Sequence, residues 1–373
     1  MSALCVHIQA SLLRDALSDI LPIIPSRTPV QALECVRLTA TEDVLDITAT
    51  DLDVSISYRI PIEVKSPGSV LLPAKLLAEF VRSLPKEETL RLECRDAKAT
   101  LETSYGRYQL SGLPPEDFPT LEEIPPSILE LEPQVIKGVL HSVLFAASRD
   151  SLRPALTGVL FEILPGEFRA VATDSYRLSR LRVLVETDAS GSLLVPATSL
   201  KLLRHFNDPV ALGWNSTMIS FRWGTSPSIT VSGRLIAERF PNYEQVIPPA
   251  SSKRFVCARE TLLDALERVS IFSSAQLRIV RLHFTADGLT LESENEERGD
   301  RAQEFVAGTY TGEEFSIGFN AQYLTDALKA VDAPEVLLEF TEPNKPVALR
   351  RADEAEIPLA EAGLFVLVMP VRL

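Results

Sequence analysis

Residues suited to metal or redox chemistry are few and scattered in this 373-residue chain. Its four cysteines, Cys5, Cys35, Cys94 and Cys257, lie 30, 59 and 163 positions apart. Without a CxxC pair, neither a zinc site nor a thiol redox couple is encoded, and four reduced, buried thiols are expected. His7, His141, His205 and His283 are equally isolated. The phosphate loop GxxxxGKS/T, the dinucleotide fingerprint GxGxxG and the metal pair HExxH are all missing. No cofactor and no metal are therefore expected, while a catalytic triad assembled from distant segments stays open.

Long apolar runs are lacking too. No stretch free of Lys, Arg, Asp and Glu exceeds 13 residues, the length of Pro209 to Phe221, against the roughly 20 a spanning helix needs. The opening MSALCVHIQASLLRD has no basic region ahead of a long apolar core, so neither export nor a membrane segment is expected, and the location expected is cytoplasmic. Positive charge is in deficit: 37 Lys and Arg face 51 Asp and Glu, for a net charge of −14. That balance argues against a protein uniformly coated in nucleic acid, unless the charge is segregated.

What the chain does contain is a threefold repeat. VLLPAKLLAEFVRSLP returns as LLVPATSLKLLRHF and again as SIGFNAQYLTDALKAV, aligning Ala74, Ala197 and Ala321 at offsets of 123 and 124. A second set, ASLLRDALSDIL, PQVIKGVLHSVLFAASR and RETLLDALERVSIF, aligns Leu17, Leu140 and Leu266 at 123 and 126. TATDLD echoes in VATDSY, 123 apart, and DFPTLEEIP in RFPNYEQVIP, 122 apart. A fixed long period is the signature of repeated structural units. Between the helical segments, LDITATDLDVSISYRI, EFRAVATDSYRLSRLRV, MISFRWGTSPSITVSG and LHFTADGLTLESEN alternate apolar with polar residues, as half-buried strands do. The fold expected is α+β, with each unit two helices packed on β-sheets. Proline clusters at 114–126 and 241–249 place the boundaries at 1–126, 127–250 and 251–373.

Charge does separate by element. The predicted helices, at 11–20, 73–84, 133–149, 197–206, 259–269 and 320–331, hold ten Lys or Arg against seven Asp or Glu. If the three units present their helices on one side, a positive surface forms on an acidic body, suited to phosphates without regard to sequence. Candidate carboxylate pairs, Asp51 with Asp53 and the run ESENEERGD, read first as solvated edges rather than acid-base groups. That acidic edge also suits pairing with TLETSYGRYQLSG, where Arg107 and Tyr108 sit near Arg91, Arg95 and Lys98; head-to-tail pairing of first and third units would close a ring.

The terminal GLFVLVMPVRL divides into a last strand, Leu364 to Val368, and an apolar wall, Met369 to Leu373. Together with VATDSYRLS, RLIAERFPNYEQVIP and IGFNAQYLTDAL, it resembles the bacterial DNA polymerase III beta subunit, the sliding-clamp family, over the whole chain. The resemblance implies three repeated DNA-clamp domains that form a six-domain ring as a head-to-tail homodimer, acting as a non-catalytic processivity factor. Its implied partners are duplex DNA bound without sequence preference, the DNA polymerase III catalytic subunit, a clamp loader, and other replication and repair proteins with a Leu/Phe-anchored peptide. A nucleoid-associated, cytoplasmic location follows, with no membrane partner.

By the same resemblance, the partner-peptide groove comprises Leu156, Thr173, Ser175, Tyr176, Arg177, Leu178, Pro241, Val246, Leu277, Asn320, Tyr323, Pro346, Ala348, Leu367, Met369, Pro370, Val371 and Arg372. Ser175-Tyr176 stands where the family often has Gly-His, and Gln245 where it commonly has Arg. Arg27 corresponds to a DNA-contacting arginine and Arg149 lies near another; helix placement adds Lys75, Arg82, Lys137, Lys201, Arg204 and Lys329. The dimer seam implied comprises Arg107, Tyr108, Arg268, Ile271, Phe272 and the acids near Glu296. Two other classes compete: a scaffold for proteins without DNA, and an enzyme with a site between repeats.

Overall fold

A computed structural model describes residues 4–371 apart from 249, 250, 252 and 275–277. The chain forms two compact units, one of residues 1–133 and 198–235, the other of 134–197 and 236–373. The central repeat thus contributes strands to both.

In the first unit, a five-stranded antiparallel sheet runs in the order Glu63–Ser66, Leu4–Gln9, Thr89–Arg95, Lys98–Thr103, Gly106–Ser111. An eight-stranded sheet joins Ser127–Leu131, Val210–Trp214, Met218–Trp223 and Ser228–Arg234 to Val54–Pro61, Val44–Thr50, Cys35–Thr41 and Gly68–Pro73. Helix α1, Ala10–Ile20, buries Ala10, Leu13, Ala16, Leu17 and Ile20, the stripe that a 3.6-residue period dictates. Helix α2, Ala74–Ser83, buries Ala74, Leu77, Ala78 and Val81 in the same way. The two helices are tied by Arg14 of α1, whose guanidinium donates to the carbonyls of Val81 and Leu84. A cation at a helix C-terminus satisfies orphan carbonyls and opposes the negative end of the dipole.

The second unit has a nine-stranded sheet in the order Gly191–Pro196, Gly158–Leu164, Glu167–Thr173, Arg177–Leu184, Leu364–Val368, Val347–Arg351, Glu335–Phe340, Lys253–Ala258, Thr309–Thr311. A four-stranded sheet follows the order Asp300–Val306, Gly288–Asn295, Ile279–Thr285, Phe315–Asn320. Helices α3 (Pro133–Gly138), α4 (Ala197–Leu200, of which residues 198–200 belong to the first unit), α5 (Arg259–Ser270) and α6 (Ala321–Ala330) complete six among the described residues. Phe284 is packed between Phe255 and Phe340, at centroid distances of 5.3 and 4.6 Å, in the core beneath α5 and α6. Each such buried ring is worth about 1.5–3 kcal/mol against its exposed state.

The repeat phase carries into the structure. Ala74, Ala197 and Ala321 are each the first residue of a helix that follows a strand ending in Pro73, Pro196 or Asn320. Asn320 can replace proline there because its side chain caps α6, accepting from the N–H of Gln322 at 2.9 Å; such a cap contributes about 1 kcal/mol.

Two helices differ from expectation. The helix expected at 197–206 ends at Leu200, and its continuation is made of tight turns, Leu202 N–H to Ser199 and Leu203 N–H to Leu200. His205 then takes a left-handed φ of 53°, which no helix continues through. The helix expected at 133–149 changes after Gly138 to a π turn, Val139–Val143, and a 3-10 turn, Leu144–Ala146, leaving Arg149 in a loop. The cause lies beside it: Ser179 Oγ donates to the Ser142 carbonyl, drawing that group out of the helical ladder. Gly138 allows the approach, because a Cβ there would stand 3.1 Å from Leu181 Cδ2. Leu140 is consequently half-buried, whereas its repeat mates Leu17 and Leu266 are buried.

Candidate functional site

The site begins with a turn that the sequence writes as Thr-Asp. Thr173 Oγ1 donates to the Arg177 carbonyl at 2.7 Å and accepts the Ser175 N–H at 3.1 Å. Asp174 Oδ1 accepts the N–H groups of Tyr176 and Arg177 at 2.9 and 3.0 Å. These bonds hold Ser175 at φ 79°, a conformation that favours glycine. The turn launches strand Arg177–Leu184, which pairs with the last strand, Leu178 facing Leu367. Met369 N–H then donates to the Tyr176 carbonyl at 2.8 Å, so the chain end is laid along the turn.

Beside this junction is a cleft of about 610 Å³. Of the residues expected there, Leu156, Thr173, Ser175, Arg177, Leu178, Pro241, Val246, Pro346, Leu367 and Met369 line it. Ala348 is buried in the apolar cluster that includes Leu160, Leu178, Phe240 and Phe365, and Tyr243 and Leu367 belong to both cleft and cluster. Tyr176 and Tyr323 stand outside the lining, stacked at 5.7 Å, with the Arg177 guanidinium 4.9 Å from the Tyr323 ring. Asn320 is occupied as the α6 cap, and Val371 bridges by its N–H to the Gly318 carbonyl at 2.9 Å. Pro370 joins Met369 to that bridge and is outside the lining. Leu277 and Arg372 fall outside the described residues.

Several lining residues were not anticipated: Arg153, Pro154, Ala155, Glu238, Arg239, Asn242 and Tyr243. They lie on the same segments as anticipated ones: the whole 3-10 turn Pro154–Leu156 faces the cleft, as do Glu238 and Arg239 ahead of Pro241. Arg153 is pinned at the rim, donating to Asp150 Oδ2 and Ser175 Oγ, both at 3.1 Å. The Leu152 N–H and Arg153 together hold the Asp150 carboxyl below the usual carboxylate range. Burial and a 2.6 Å hydrogen bond to Glu162 push the Tyr243 phenol up. At neutral pH that phenol stays a neutral donor, and the cleft offers apolar walls with three arginines and one glutamate.

The DNA-side candidates Arg27, Lys75, Arg82, Lys137, Arg149, Lys201, Arg204 and Lys329 are all exposed. Lys75 Nζ lies 3.5 Å from the Pro25 carbonyl, beside the loop that carries Arg27. Lys329 is paired with Glu267 at 2.9 Å. Lys201 and Arg204 sit on the turn that follows α4 rather than on a helix.

The seam candidates lie on or near two sheet edges. Strand Gly106–Ser111, with Arg107 and Tyr108, ends the five-stranded sheet, and the Tyr108 ring packs tilted against Phe80 at 4.7 Å. Strand Asp300–Val306 ends the four-stranded sheet. Near it a second, more polar depression of about 1420 Å³ is lined by Ile271, Glu292, Glu294, Glu296 and Arg298, among others. Ile271 is 77% exposed and Phe272 43%, while Arg268 is engaged by Glu304 of the edge strand. Ile271 thus stands exposed just past the C-terminal end of α5.

Chemistry remains sparse. Ser316 Oγ, His283 and Glu314 form a row with separations of 2.8 and 3.3 Å, and they line neither depression. Among the described residues, no three His, Cys, Asp or Glu group together as metal ligands. All four cysteines are free and buried. No helix among the described residues is long and apolar enough to cross a membrane.

A tandem of three α+β repeats, each with a helix opened by the same alanine, defines the DNA-clamp class. Family models agree domain by domain: the DNA polymerase III beta subunit N-terminal domain matches residues 4–122, the central domain 130–242 and the C-terminal domain 244–361. The beta sliding clamp of Synechococcus elongatus is 30% identical, with 97% of each chain covered. That of Pseudomonas putida is 29% identical over 98% of this chain and 99% of its own. Among solved structures, a Pseudomonas aeruginosa sliding clamp bound to griselimycin superposes with a TM-score of 0.91 at 28% identity, covering all of both chains. A Bacillus subtilis clamp gives 0.90 at 25% identity, again over all of both chains. The chain belongs to the DNA polymerase III beta subunit family, the bacterial sliding clamps, and is a processivity factor.

Proposed function

We propose that two copies of this chain pair head to tail into a ring around duplex DNA, and that the cleft beside Met369 takes a Leu/Phe-anchored peptide of the polymerase. The reading divides each chain into clamp domains at 1–126, 127–250 and 251–373. Its main support is the pairing of whole-chain family membership with that cleft. Leucine, valine, methionine and proline surround a few fixed polar groups there, a composition suited to a short apolar peptide. Met369, polarizable and unbranched, adapts to more than one partner sequence.

The edge carrying Arg107 and Tyr108 would meet the edge carrying Asp300 and Glu304 in the second copy, with Ile271 and Phe272 covered and Arg268 and Glu296 at the seam. Arg27, Arg149 and the exposed helix-side lysines and arginines would face phosphate, and the acidic remainder would discourage DNA elsewhere. A clamp loader would open the ring, and other replication and repair proteins would share the cleft. The protein would work in the cytoplasm at the nucleoid. No reaction is assigned to the chain.

Topology supplies the test. After loading, the protein should stay on closed circular DNA and be lost when the circle is cut. Equal retention on circular and linear DNA would mean ordinary adhesion and overturn the ring.

A further inference from the structure

The first unit contains a counterpart of the turn beside the cleft, and its surface has the opposite character. Thr50 Oγ1 donates to the Val54 carbonyl at 2.8 Å, and Asp51 Oδ1 accepts the N–H groups of Asp53 and Val54 at 3.1 and 2.8 Å, as at Thr173 and Asp174. The Arg234 N–H donates to the Asp53 carbonyl at 2.9 Å, as the Met369 N–H does to Tyr176. Phe118, Ala32, Cys35 and Leu71 form the cluster beneath.

Offsets of 122 and 123 place Val30, Leu52 and Ile124 where the cleft has Arg153, Ser175 and Val246. All three are exposed, at 44%, 55% and 39%. By the same offsets the cleft arginines Arg153, Arg177 and Arg239 become Val30, Val54 and Asp117. Asp53, Asp117 and Glu123 add exposed carboxylates, while of the nearby cations Arg234 is matched by Glu122 and Arg37 lies over the Phe118 ring at 4.4 Å. Leu52 also has a φ of 86°, so a bulky apolar side chain stands in solvent on a backbone that disfavours it.

We propose that Val30, Leu52 and Ile124 form a second docking surface, for a basic amphipathic polypeptide segment of a partner protein. Charge complementarity selects the occupant: apolar side chains would cover the three hydrophobics while lysines or arginines meet Asp53, Asp117 and Glu123. The surface is separate from the Met369 cleft and has the opposite sign, so partners of the two need not compete.

The probe is a fluorescein-labelled 14-residue peptide of leucine and lysine at helical spacing, with a scrambled peptide of equal composition as control, titrated into the full-length protein by anisotropy. The combined variant Val30→Ser, Leu52→Asn, Ile124→Ser should weaken binding at least about tenfold, and so should Asp117→Lys with Glu123→Lys, which touches only exposed side chains. Met369→Arg should leave it unchanged. Equal binding of the scrambled peptide, equal binding by the triple variant, or sensitivity to Met369→Arg would each overturn the proposal. The last outcome would do so while leaving the cleft assignment intact.

Discussion

The turns at Thr50–Val54 and Thr173–Arg177 share their hydrogen bonds, their left-handed residue and their place in the repeat, yet the side chains presented beside them differ in character. The difference lies in two cross-strand positions. In the second unit Leu178 faces Leu367, and the chain runs on to Met369. In the first unit Ser55 faces Ser232, with their hydroxyls 2.7 Å apart, and the chain runs on to Arg234, which pairs with Glu122. Backbone geometry is therefore a property of the repeat. Ligand chemistry is decided by which side chains the shared backbone presents, which is why copies of one fold can differ in what they bind.

The largest break of this comparison would be to write the first unit into the second. Leu178→Ser with Leu367→Ser removes two buried side chains, each worth about 2–5 kcal/mol. Urea unfolding should show a large loss of stability, and apolar peptide binding should vanish.

Next come the turn caps. Asp174→Ala loses two N–H partners and the 3.1 Å bond to Arg177 Nε, so a loss of about 1–3 kcal/mol is expected. Asp51→Ala has no arginine to strand and should cost about 1 kcal/mol. Thermal denaturation of both variants ranks them, and the reverse order would contradict the parallel drawn between the turns.

Substitution at the left-handed residues should go the other way. Leu52→Gly should stabilise by about 0.5–1 kcal/mol by relieving the backbone. Ser175→Gly should gain less, because its hydroxyl holds Arg153. Smaller again is Arg234→Met, since an exposed ion pair is worth about 0–1 kcal/mol. The same melts check it.

At neutral pH the least visible effect is that of the thiols. Burial raises Cys35 to about 11 and Cys94 and Cys257 to about 12. A folded pKa raised above the unfolded one leaves stability intact below pH 9 and erodes it as pH climbs through the folded values. Melts between pH 7 and 11 should be flat at first and then fall, and alkylation of the folded protein should stay slow until the fall begins.

Much of this was readable in the chain. Helix starts followed from the 123- and 124-residue offsets, because a strand-to-helix junction needs a small residue at one fixed place. The strand Leu364–Val368 was legible as alternation. Where reading failed, a neighbour in space was responsible. The break after Gly138 depends on Ser179 reaching Ser142, and the early end of α4 on the left-handed His205. Of the residues implied by family likeness, ten line the cleft. Arg153 and Glu238–Arg239 were missed because a short turn exposes consecutive residues, and no periodicity reports that. The opposed charge of the two junctions was present in the repeat alignment all along, but only the bonds from Arg234 and Met369 show that the positions correspond.

The central claim is that an apolar peptide binds at Met369 and not at its counterpart. Calorimetric titration of a Leu/Phe-anchored peptide into the wild type, Met369→Arg and Arg234→Met tests it directly. Met369→Arg should weaken binding at least about a hundredfold and Arg234→Met should not change it. Undiminished affinity in Met369→Arg would contradict the account.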